Sequence, residues 1–169
     1  MRRVIVIAVL IIISFVLQTT LFNYHDVVGV APDLLLVITM SFGIMRGRRE
    51  GLLTGFFCGL LYDVFYGTLL GPFMFLYMVI GYVNGFFHRN YMMEDVMLPV
   101  IISMVDEMLI QFMIYIFAFL LRNRLSVGYY LIHIILPRTV YTVLITVIVY
   151  RVYVRINKYL KKKVSEAKK

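Results

Sequence analysis

Three carboxylates and one arginine fall inside the apolar runs of this 169-residue chain: Asp63, Asp106, Glu107 and Arg138. The segment "SMVDEMLIQ" (103–111) sets Ser103, Glu107 and Gln111 on one stripe by i, i+4 spacing, with Asp106 beside it. Arg138 follows Pro137 in "HIILPRTVY" (133–141), with His133 nearby. Carboxylates, a histidine and a buried cation are the groups of a proton or substrate relay. They also fix the register of neighbouring helices, and the spacing leaves both roles open. An enzyme is not indicated. Asp106 and Glu107 are neighbours, pointing about 100° apart on a helix, so they form no acid/base pair alone. H-E-x-x-H, G-x-S-x-G, a P-loop and a magnesium-holding aspartate cluster are all missing. No cofactor or metal is expected, and Cys58 in its apolar setting is an unreactive thiol.

Energetics dictate where these charges lie. Two ionised residues at a helix centre cost roughly 5–7 kcal/mol, while the 14 Leu, Ile, Val and Phe of residues 97–121 return roughly 4–8 kcal/mol. That helix is marginal alone, so its carboxylates must face a bundle interior. Arg138 lies near the same depth, which predicts an ion pair with Glu107 or Asp106. Asp63, nearer the outer surface, is the alternative partner.

The elements that position these groups follow from composition. Hydrophobic residues make up 62% of the chain, far above a soluble domain. Six apolar runs, at 4–22, 33–45, 51–66, 71–87, 97–121 and 129–150, predict an all-α integral membrane protein with six transmembrane helices. Residues 1–155 form the membrane domain and 156–169 a basic cytoplasmic tail. "VIVIAVLIIISFVL" after Arg2-Arg3 looks like a signal peptide but has no A-x-A site behind it, so a retained first helix is expected. Pro32 suits a first helical turn, and Asp33 beside it suits the positive end of the helix dipole.

The formal charge of +8 sits between the apolar runs and in the tail. That distribution excludes a nucleic-acid face and sets orientation instead. Fourteen of the 17 Lys and Arg fall on one side, which predicts both termini in the cytoplasm; the "RNR" at 122–124 is a mild exception. The tail is expected as an extension of the sixth helix lying along the membrane surface, and its lysines either attract anionic lipid or act as a topology signal.

Glycines at 51, 55 and 59 repeat every fourth residue, and Asp63 takes the next position. Small residues so spaced open a groove for a close helix, from this chain, from a second copy in a homodimer, or from a partner. Asp63 stands where the helix meets its outer loop, placed to bind freed backbone N–H groups around Gly67 and Gly71 or to receive a partner's helix.

In order along the chain, Pro32, Asp33, Leu34 and Leu35, then Gly51, Gly55, Gly59, Leu60, Leu61 and Asp63, then Leu70 and Gly71, and late on "ILPRTVYTVLITVIVY" (135–150), resemble the MreD family of bacterial rod-shape proteins. The resemblance covers most of the chain; Arg138 departs from it, standing where a small polar residue is expected. It implies a non-catalytic scaffold of lateral peptidoglycan synthesis in the bacterial inner membrane. The implied partners are an MreC-like single-span protein, RodA, a class B penicillin-binding transpeptidase and MreB filaments. It also implies a fold similar to the substrate-binding subunits of energy-coupling-factor transporters. The alternative function is a subunit of that transporter type, capturing a vitamin-like molecule through Asn23, His25, Asp33 and Asp63.

Overall fold

The computed structural model describes residues 2–24, 32–67, 70–90, 97–116 and 135–166. They form six helices: α1 (Arg2–Tyr24), α2 (Leu34–Arg46), α3 (Arg48–Tyr66), α4 (Pro72–Asn84), α5 (Met97–Tyr115) and α6 (Leu136–Glu166). A 3₁₀ segment, Gly85–Asn90, continues α4.

α2 is the axis of the bundle. It touches all five other helices and the 3₁₀ segment, and Leu34 through Met45 are all buried. Its 13 residues span about 20 Å, so it is shorter than the hydrocarbon core of a membrane. Gly47, at φ 92°, ends α2 and starts α3 in one step, turning the two helices into a tight antiparallel hairpin.

Burial runs inside out. On α5, Ser103, Asp106, Glu107 and Gln111 are buried while Ile101, Val105, Met108 and Phe112 are exposed. On α6, Thr139, Thr142, Thr146 and Asn157 are buried while Val140, Leu144 and Ile148 are exposed. A helix surrounded by water would reverse this pattern; lipid as solvent explains it. α5 and the stretch Leu136–Tyr159 of α6 are long and apolar enough to cross a membrane by length and composition.

Several boundaries differ from the sequence reading. Pro32 precedes α2 instead of joining its first turn, because the Asp33 side chain takes the N-cap position and accepts from the Leu36 N–H at 3.0 Å. α4 ends at Asn84, before residue 87. There the chain tightens because Gly85 presses on the Arg48 backbone and His88 Nδ1 bonds the Ile44 carbonyl at 2.9 Å. α6 runs past its apolar stretch to Glu166, so the tail begins as the expected extension of the sixth helix, with neither Gly nor Pro between 138 and 166 to stop it. His25, His133, the "RNR" at 122–124 and residues 117–121 and 129–134 of the two expected late helices lie outside the described residues.

Candidate functional site: a buried charge network and a capped turn

The start of α2 is buried, so its free N–H donors need partners from elsewhere in the bundle. Thr142 Oγ1 of α6 accepts from the Asp33 N–H at 3.3 Å, and Gln18 Oε1 of α1 accepts from the Leu35 N–H at 3.2 Å. Asp33 Oδ1 accepts from Leu36, and its backbone carbonyl from the Val37 N–H at 3.2 Å. From Gln18 to the end of α1 at Tyr24 six residues remain, so this cap lies about 9 Å from the C-terminal end of α1.

Charges gather around that cap. Arg138 Nη2 lies 3.6 Å from Asp33 Oδ2, and Arg138 Nε lies 3.1 Å from Glu107 Oε1. The second contact is ionic rather than an aligned hydrogen bond, because the Nε–H is not directed at an acceptor. The Tyr77 hydroxyl of α4 donates to Asp33 Oδ2 at 2.5 Å, and Gln111 Nε2 donates to Glu107 Oε1 at 2.9 Å. One guanidinium therefore joins α2, α5 and α6, with α4 tied in through Tyr77. The side chains of Asp33 and Glu107 are fully buried. Removing one partner of such a group strands the others, which is far costlier than never having buried them.

Asp106 and Asp63 stand apart from Arg138. Asp106 faces α4, where Asn84 Nδ2 donates to its Oδ2 at 2.5 Å. Asp63 is spent on the start of α4: it accepts from the N–H groups of Gly71 (3.0 Å), Phe73 (3.2 Å) and Met74 (2.8 Å). Pro72 has no N–H, and Phe75 bonds the Gly71 carbonyl at 2.9 Å. The first turn of α4 is thus fully paired. The Gly67 N–H goes to the Asp63 backbone carbonyl rather than its carboxylate. Gly71 itself sits at φ 123°, a conformation that other residues rarely adopt.

The glycine series lies along α4. A methyl group on Gly55 would meet the Tyr77 backbone, one on Gly59 the Met74 backbone, and one on Gly51 the Gly81 backbone and the Gly43 Cα. Lateral ties complete the ring around α2. Ser14 of α1 shares a 2.7 Å bond with the Tyr153 hydroxyl of α6, and Arg46 reaches both Glu50 (2.9 Å) and Asn157 (3.0 Å). No group of three His, Cys, Asp or Glu among the described residues is placed to hold a metal.

The sequence points to Asp33, Asp63, Asp106, Glu107, Gln111 and Arg138, but not to four residues that bond them or the start of α2. Tyr77 is one of 13 tyrosines, and Asn84 lay inside "GYVNG", read for its glycines. Thr142 gave no signal. Gln18, an amide in the middle of an apolar run, was the usable clue.

The model of the rod shape-determining protein MreD matches residues 1–163. The chain belongs to the MreD family. Neither a curated protein nor a solved structure matches it. As an MreD, it is a multi-pass membrane protein that determines rod shape within the cell-elongation machinery, and it is not an enzyme. The buried charges of this MreD accordingly need no catalytic task.

Proposed function

We propose that this chain works as a passive scaffold, holding an MreC-like single-span protein and, through it, RodA, a class B penicillin-binding transpeptidase and MreB filaments. The observation that carries this reading is the inward turn of its polar and small groups. The glycine series packs on α4, Asp63 caps α4, and Arg138 binds Asp33 and Glu107. Along the middle of the described helices the outward-facing side chains are apolar, a surface for lipid and for a partner's membrane helix. The reading extends to six membrane crossings with both termini cytoplasmic, residues 156–169 serving as a basic tail, and a bundle of the energy-coupling-factor subunit type.

The test is crosslinking in native membranes followed by purification through a terminal tag. Recovery of a single-span periplasmic protein with wall-synthesis enzymes is expected, and the mass of the complex reports whether a second copy is present. A transmembrane coupling subunit with paired ATPases would contradict the scaffold. Asp63→Ala separates its two roles: as a cap, it lowers the protein's abundance and its retained partner together, whereas a docking residue would lower the partner alone.

A further inference from the structure

The 3₁₀ segment Gly85–Asn90 carries an aromatic and basic surface that the scaffold role leaves unused. Phe86 and Phe87 are 49% and 40% exposed, although both are phenylalanines at the end of a tightly packed helix. Their segment is fixed in place rather than trailing. His88 Nδ1 bonds the Ile44 carbonyl, and Gly85 lies so close to the Arg48 backbone that no side chain fits between them.

Three arginines accompany the rings, one stacked on Phe86 and two near in sequence. The Arg48 guanidinium stands 3.8 Å above the centre of the Phe86 ring, and Arg49 and Arg89 are exposed beside it in sequence. None of the three has an acidic partner among the described residues, in contrast to Arg46 and Arg138. Nor do two of them serve their own helix: Arg48 and Arg49 occupy the first turn of α3, where the helix dipole disfavours cations. Guanidinium groups with no acidic partner among the described residues, one of them stacked on an exposed ring at the end of a membrane bundle, match one environment: the boundary between acyl chains and phosphate headgroups.

We propose that this surface binds anionic phospholipid, with Phe86 and Phe87 seated among the upper acyl carbons and Arg48, Arg49 and Arg89 on the headgroup phosphates. Arg48 links the two halves, one face on the Phe86 ring and its N–H edge free for phosphate. The fixed 3₁₀ segment sets the depth of the bundle on this side and selects negatively charged lipid around it. These arginines are different residues from the tail lysines, which follow Asn157 on α6 and are removed separately by truncation.

The chain contains no tryptophan, so Phe86→Trp creates a single fluorescent reporter. The full-length protein is placed in vesicles of equal phosphatidylcholine and phosphatidylglycerol, with one lipid or the other brominated near the top of its acyl chains. Brominated phosphatidylglycerol is expected to quench at least twice as strongly as brominated phosphatidylcholine at the same mole fraction. Arg48→Gln with Arg89→Gln removes the preference and keeps the quenching, while truncation after Tyr159 changes neither. Equal quenching by both lipids would overturn the proposal, as would loss of the preference on truncation alone. Quenching by aqueous iodide with none by either lipid would also overturn it, pointing to a surface kept for a protein. Phe87→Trp supplies a second reporter if the first variant accumulates poorly.

Discussion

Asp63 offers both carboxylate oxygens to three backbone donors at the start of α4. Asp63→Ala leaves those donors without an acceptor and is expected to cost about 1–3 kcal/mol. Thermal unfolding in detergent checks this, and a variant as stable as the parent would refute the cap. Arg138 gives a sharper order. Arg138→Gln strands Asp33 and Glu107 opposite no cation, an expected loss of about 3–5 kcal/mol. Glu107→Gln leaves Arg138 on Asp33 and costs less. The same unfolding measurement should therefore rank the parent first, Glu107→Gln second and Arg138→Gln last. At this scale the sequence was half legible. Matching depths along two helices brought Arg138 to Glu107, but depth alone could not choose between Asp106 and Glu107, since they differ by one step around α5. Asp33 escaped as an ion-pair partner because its position at a helix start points to a cap and says nothing of a cation from α6.

Among the elements, α3 and α4 pack most intimately, and the reason is the glycine series between them. Gly55→Val and Gly59→Val would drive a branched side chain into the α4 backbone, an overpacking expected to cost about 1–3 kcal/mol. Phe57→Ala on the same helix touches the outer surface, where Phe57 is half exposed, and should change little. Abundance in membranes compares them; equal losses would mean that the series does not pack as described. The four-residue spacing was plain in the sequence, but it announces a close approach without naming the neighbour. The 3₁₀ segment was invisible for a related reason. "GFFHRN" continues the apolar character of α4, and only contact with the α2–α3 turn tightens it.

At the scale of the whole molecule, the six apolar runs and the inward-facing charges made an all-helical membrane bundle readable from composition and spacing. The short α2 was also visible, but not its place at the centre, which depends on how the other helices surround it. Orientation has a direct check, because Cys58 is fully buried and silent to polar reagents. A cysteine in place of exposed Leu70 should react with a membrane-impermeant maleimide in intact cells, and one in place of Arg49 only after permeabilisation; the reverse would invert the topology. The central claim is that the buried charges hold the bundle together and do no further work. It is tested by rod shape in cells whose only copy carries Glu107→Gln together with Arg138→Gln. If that variant accumulates in the membrane, the account predicts rods, since the scaffold needs its shape and not its charges. Round cells containing a folded, abundant double variant would contradict it and assign the Asp33–Arg138–Glu107 network an active part in elongation.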